Sequence, residues 1–161
     1  MDYKLFEIVT TAIIIRDVKY LITQRSMTKK RFPGMWTVPG GHLETEDYEA
    51  LPKDTENYWY NVLEQVLKRE VKEEVGLDIK NIKYLTSLAF EREDGIPTLI
   101  VSLYADNDGD EIVLSDELSD YKWVNLEEAK SYDLIEGIYE ELEMLDRVLK
   151  GEERIEWSKL D

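Results

Sequence analysis

The chain has 161 residues, 36 acidic and 20 basic, for a formal charge of −16, and it has no cysteine. This excludes a disulfide framework, thiolate metal sites and a cysteine nucleophile, and it makes long nucleic acids poor partners, because neutralising a phosphate backbone takes clustered Lys and Arg. No stretch reaches the length of a membrane span, and the start, Met1-Asp2-Tyr3-Lys4-Leu5-Phe6-Glu7, lacks a basic region leading into an apolar one. The expectation is a soluble, cytoplasmic protein with no membrane partner, folded as a single domain over 1–161.

In chain order, Ile8-Val9-Thr10-Thr11-Ala12-Ile13-Ile14-Ile15-Arg16 is rich in β-branched residues, and a short turn at Asp17-Val18 joins it to Lys19–Arg25. Together they predict an antiparallel hairpin. A basic cluster, Lys29-Lys30-Arg31 with Arg25 nearby, reads as a solvated turn or as an attractor of phosphates. A glycine loop follows at Pro39-Gly40-Gly41-His42-Leu43-Glu44. Asp54 or Thr55 can then cap a helix running to about Val75, with Gly76 stopping it. Ile82–Phe90 and Pro97–Ala105 predict two more strands, turning at Glu93-Asp94-Gly95. Further on, apolar residues at helical spacing predict a helix over Leu134–Leu149. Trp157, in the tail, has either the core or a second subunit to pack on.

The most informative segment is Arg69-Glu70-Val71-Lys72-Glu73-Glu74-Val75-Gly76-Leu77. Residues three and four apart share a helical face, so Glu70, Glu73 and Glu74 repel one another on one patch. The patch reads as an acidic solvated face, or as a site for a hard divalent cation that takes oxygen ligands. Upstream, the Gly40-Gly41 pair permits close backbone approach and can aim a carbonyl at such an ion.

Gly-Gly-x-x-Glu followed by Arg-Glu-hydrophobic-x-Glu-Glu-x-Gly-hydrophobic resembles the signature of the Nudix (MutT-like) hydrolases, a loop-helix-loop that holds magnesium against a diphosphate. The second half matches at every defined position, Phe32-Pro33-Gly34-Met35-Trp36-Thr37-Val38 is similar to the family's approach to the motif, and Glu117–Val124 before Leu126-Glu127-Glu128-Ala129 is similar to the family's strand before a short helix. The chain departs from the pattern within the motif, where about 14 extra residues form an insertion around 46–60, a length often used for lids or binding elements. Glu46, Asp47 and Glu56 are therefore all candidates for the family's mid-motif glutamate. Trp59 reads as an extension of the buried stripe of the motif helix, and Tyr48 as either a packing or a stacking residue.

The resemblance implies an α/β fold, the Nudix α/β/α sandwich with a mixed sheet. It implies hydrolysis of a phosphoanhydride bond in a nucleoside diphosphate linked to a further group. The form of the segment is most similar to members that convert nucleoside triphosphates, oxidised ones included, to monophosphate and pyrophosphate. Magnesium, or manganese in its place, would be held by Glu70, Glu73, Glu74 and the Gly40 carbonyl. Arg69 would orient a glutamate, and either Glu70 or Glu117 would serve as general base. Arg25, Trp36 and Glu44 are the candidate substrate residues. Arg25 also reads as a surface strand arginine, Trp36 as a core aromatic and Glu117 as an exposed loop acid. His42, the sole histidine, reads as a support in the loop. The partner is a small nucleotide, and a homodimer is expected because the family often forms one. The rival readings are a nucleotide-sugar or other nucleoside-diphosphate hydrolase, a catalytically silent nucleotide sensor, and an acidic calcium-binding protein.

Overall fold

The computed structural model describes residues 3–159. Met1 and Asp2, on which part of the reading of the chain start falls, lie outside the described residues, as do Leu160 and Asp161.

Strands β1 (Glu7–Arg16) and β2 (Lys19–Arg25) form the expected hairpin, pairing Ile15 with Tyr20 and Arg16 with Lys19. Its two-residue turn places Asp17 and Val18 at φ +49° and +57°. This sense suits the twist of the flanking strands, but a β-branched residue resists it. Next come the short strands β3 (Trp36–Thr37) and β4 (Gly40–His42), then a one-turn helix α1 (Glu46–Glu49) and the motif helix α2 (Val62–Val75). A second hairpin, β5 (Lys80–Glu91) with β6 (Pro97–Asp106), is followed by β7 (Leu118–Val124), the capped turn α3 (Leu126–Ala129) and helix α4 (Ile138–Leu149).

The sheet runs β3-β2-β1-β6-β5, with β4 joined to β1 and β7 to β2. Only the β1 and β6 pair is parallel among these pairings, so the sheet is mixed. Both faces of β1 are apolar. Ala12 and Ile14 pack with Leu67, Val71 and Val75 of α2, whereas Ile13 packs with Leu142 and Leu145 of α4. Helices thus cover both faces, as in the expected α/β/α sandwich.

Two helix boundaries differ from the sequence reading. Helix α2 starts at Val62, after Asn61 in the left-handed region, and not at Asp54 or Thr55. Those two side chains are engaged locally: Asp54 Oδ2 accepts from Tyr60 N at 2.8 Å and Thr55 Oγ1 from Tyr58 N at 3.0 Å. Short polar side chains that bond nearby backbone stabilise a turn in competition with a helix. Trp59 consequently does not extend the α2 stripe. Its ring lies 5.2 Å from Tyr48 and its Nε1 donates to the Leu51 carbonyl at 2.9 Å. Helix α4 likewise begins four residues later than expected, after Gly137 at φ +89°. Leu134 and Ile135 instead brace β3, with Ile135 N donating to the Trp36 carbonyl at 2.8 Å.

Val18 is 83% exposed, so it contributes strain without burial. Replacing Asp17-Val18 by Asn-Gly is expected to stabilise the fold by about 1 kcal/mol, read as a higher urea midpoint at unchanged slope.

Glu141 is 4% exposed in α4, and burial raises its carboxyl pKa above the ordinary 4.5, opposed by a hydrogen bond from Ser102 and aided by neighbouring Glu140. The folded state therefore holds this proton more tightly than the unfolded state. The associated stability is present at low pH and is lost as pH rises through the elevated value. Thermal unfolding of Glu141→Gln against the parent protein, between about pH 4 and about pH 8, should show the variant gaining relative stability as pH rises.

Candidate active site

Arg69 sits six residues before the end of α2, and its guanidinium gathers the acids around it. It ion-pairs with Asp47 of α1, with Glu70 at 2.9 Å and with Glu73 at 3.1 Å, and Nη2 donates to the His42 carbonyl at 3.2 Å. Asp47 has a side chain only 5% exposed. Burial alone would raise its pKa, but the hydrogen bonds from Arg69 and from Glu44 N hold it below the ordinary carboxylate value. Of the three candidates for the mid-motif acid, Asp47 is thus the one joined to Arg69. Glu46 has a hydrogen bond from Thr45 Oγ1 at 3.3 Å. Glu44 contributes its backbone N–H, 2.8 Å from Asp47 Oδ2.

The glycine pair packs directly on α2. A Cβ on Gly41 would overlap the Glu70 carboxylate, and one on Gly40 would overlap the Thr10 carbonyl. Gly40 N donates to Glu74 Oε2 at 3.1 Å. Burial pushes the Glu74 carboxyl up to about 8, with the Gly40 hydrogen bond opposing and the charges of Glu70 and Glu117 adding. Glu70 is also raised, chiefly by burial, against the pull of Arg69. Glu73 is 59% exposed.

The loop bearing Glu117 is joined to the end of α2: Val113 N donates to the Val75 carbonyl at 3.0 Å and Ser115 N to the Glu74 carbonyl at 2.9 Å. These bonds satisfy carbonyls that a helix end leaves free. Glu117 pairs with Lys29 at 2.7 Å, a contact the sequence did not indicate. Arg25 is partly buried between these groups, and its Nε donates to the Arg31 carbonyl at 2.9 Å. Burial lowers its pKa, and the charges of Glu74 and Glu117 act the other way. Trp36 is 8% exposed and stands edge-on to Tyr132 at 4.8 Å, among core residues. His42 pairs with Glu7.

Among the described residues no three acidic or histidine side chains already form a closed metal cluster. The donor chemistry nevertheless fits a hard divalent cation. Glu70 and Glu74 are carboxylates drawn out of water side by side, and Glu74 is met by a neutral backbone N–H, not by a cation in contact. Such an arrangement is costly unless positive charge compensates it.

Residues 7–145 match the family model described as the NUDIX domain. The chain belongs to the NUDIX family. It is 25% identical over 133 residues to nucleoside triphosphatase NudI of Klebsiella pneumoniae, covering 76% of this chain and 84% of that protein. The MutT protein of Methanosarcina mazei superposes with a TM-score of 0.69 at 23% identity, over 93% of this chain and 99% of the other. The NUDIX domain of Shewanella oneidensis NrtR complexed with ADP ribose superposes at 0.66 and 20% identity, over 92% and 90%. The expected α/β sandwich is that of these neighbours, and the chain is an enzyme of the Nudix hydrolase class. Among the described residues no helix is long and apolar enough to cross a membrane.

If Asp47 holds Arg69 in place, and Arg69 in turn holds Glu70 and Glu73, Asp47→Asn should weaken divalent-metal affinity by about 10- to 100-fold. Asp47→Glu should restore most of it, as read by isothermal titration with magnesium and with manganese.

Proposed function

We propose that the protein hydrolyses a phosphoanhydride bond of a nucleoside triphosphate, the nucleotide being ordinary or oxidised, to give monophosphate and pyrophosphate in a magnesium-dependent reaction. The observation that carries this reading is the pairing of two half-buried carboxylates, Glu70 and Glu74, with a glycine loop that leaves no room for a side chain. Relatives named nucleoside triphosphatases support the substrate class. Nudix domains generally use a divalent metal. Here Glu70, Glu73, Glu74 and the Gly40 carbonyl would hold it, and manganese has the same oxygen-ligand preference. When bound, such an ion neutralises phosphate charge and makes a coordinated water more acidic.

The remaining roles belong to the chain itself. Arg69 holds Glu70 and Glu73 through a planar fork of donors, which suits it to fixing carboxylates. Two acids are candidates to take the proton from the attacking water, Glu70 and Glu117. The bond from Lys29 occupies one Glu117 oxygen and favours Glu70. Arg25 and Lys29, near the acids, supply the local positive charge that a polyphosphate needs in a chain of net charge −16. Trp36 is left with a packing role.

A nucleoside diphosphate joined to a sugar is the second reading, since the same fold binds ADP ribose in the Shewanella domain. The products separate the two: pyrophosphate from triphosphates, sugar phosphate from the alternative. We expect release of pyrophosphate with magnesium, none with chelator, and a loss in Glu73→Gln beyond the about 100-fold typical of supporting residues. Unchanged turnover in a folded Glu73→Gln protein would overturn the ligand assignment.

A further inference from the structure

Strands β1 and β2 are paired at Ile15–Tyr20 and Arg16–Lys19 and then part, β1 taking β4 as its neighbour and β2 taking β3 and β7. The residues 26–35 that join β2 to β3 cross the open end of this fork. At one side the Arg31 carbonyl accepts from Arg25 Nε at 2.9 Å. At the other the Arg31 guanidinium lies 4.8 Å from the ring of Phe90 on β5, with β1 and β6 between β2 and β5 in the strand order. The crossing is held in one shape. Ser26 N donates to the Glu117 carbonyl at 2.9 Å, Lys29 pairs with the Glu117 carboxylate at 2.7 Å, and Gly34 N donates to the Arg25 carbonyl at 3.0 Å. Phe32 is at φ +50°, which a bulky residue avoids. Such strain persists where the surroundings over-determine it, and it gathers at binding sites.

Arg31 breaks the pattern of the other arginines. Among the described residues each of those donates a hydrogen bond from its guanidinium to an oxygen of the protein, and Arg31 does not, although the chain carries a charge of −16. It is exposed, and its charge is met by two ring faces, Phe90 at 4.8 Å and Phe32 at 5.4 Å. Ring faces stabilise a cation without accepting its in-plane N–H groups. The fork of donors is thus held and unspent, and such a fork takes two oxygens of a phosphate at once. The Arg31 charge also adds to burial in lowering the Arg25 pKa, a repulsion that an anion between the two guanidiniums relieves.

We propose that Arg31 binds the phosphate of the substrate that lies beyond the two held at the motif acids, and so selects nucleoside triphosphates over nucleoside diphosphates joined to a sugar. The proposal rests on the nucleotide-hydrolase reading and deepens it. The order of the cations supports the placement. Arg25 is partly buried near Glu74 and Glu117, Lys29 is spent on Glu117, and Arg31 stands farther out, against β5. A triphosphate brings a third phosphate to that outer position, where a nucleotide sugar brings an uncharged ring. The fork of Arg31 meets the first with charge-assisted bonds and has no comparable partner on the second.

The test is steady-state hydrolysis of nucleoside triphosphates and nucleotide sugars by the full chain and by Arg31→Gln, Arg31→Lys and Lys30→Gln. Arg31→Gln should raise KM for triphosphates about 30-fold at little-changed kcat, the mark of a lost binding contact, and leave KM for nucleotide sugars where it was. Arg31→Lys should recover part of the loss, since it keeps the charge without the fork. Lys30 is the exposed neighbouring cation, and Lys30→Gln should raise KM by no more than about 3-fold. Independently of turnover, isothermal titration with inorganic tripolyphosphate and magnesium should show the same fall in affinity in Arg31→Gln, and titration with pyrophosphate should not. An unchanged triphosphate KM in Arg31→Gln, or an equal loss in Lys30→Gln, would overturn the assignment of Arg31 and leave the hydrolase standing. Tripolyphosphate binding that depends on Arg31, in a chain that turns over no nucleotide with magnesium, would keep the phosphate site and overturn the hydrolase reading.

Discussion

The close packing of the glycine pair on the motif helix is the constraint from which the site follows. Where a Cβ of Gly41 would stand, the Glu70 carboxylate stands instead, and Gly40 N–H reaches Glu74. Because β4 is fixed to β1 through Val9, Thr10 and Thr11, this contact sets the height of α2 above the sheet. It also drives two carboxylates out of water side by side. A backbone N–H is a weak offset for a carboxylate drawn out of water, and a cation is the partner such a pair of acids favours.

Arg69 meets part of that demand. Its fork divides between Asp47, Glu70 and Glu73, and it touches the loop carbonyl of His42. A lysine would offer a point charge where three acceptors need a planar set of donors. The inserted segment therefore has a structural role at its beginning, where α1 presents Asp47. It has a separate one at its end, where Asp54 and Thr55 close a turn on Tyr60 and Tyr58 and Trp59 packs back on Tyr48 of α1.

The fold was legible wherever periodicity and turn chemistry agreed. The β1 and β2 hairpin, the β5 and β6 hairpin and the stop at Gly76 all follow from such agreement, whereas the short helix at Leu126–Ala129 was expected from the family resemblance. The start of α2 was not legible, because Asp54 and Thr55 satisfy a helix cap and a local turn equally well in sequence. The start of α4 was missed because Leu134 and Ile135 continue its apolar spacing while serving β3. The acids of α2 were legible from spacing alone. Asp47 was not, since choosing it over Glu46 requires knowing which of two adjacent side chains faces Arg69.

The partner of Lys29 and the burial of Glu141 were illegible for a different reason. Each residue lies far in sequence from its partner, Glu117 for one and Ser102 for the other. A local reading sees a charge in a basic turn and an acid in a helix. Glu141 did leave a trace, an acid at i+3 from Ile138 and i−4 from Leu145, inside an apolar stripe. A carboxyl there lowers stability in the neutral range, and an apolar residue of similar volume would remove that cost. The fold keeps it on the α4 side of the sheet near Ser102, whose hydroxyl accepts from Thr11 at 3.1 Å. Among the described residues Glu74 and Glu141 are thus both drawn out of water without a cation in contact, Glu74 on the α2 side of the sheet, where the motif acids gather, and Glu141 on the α4 side.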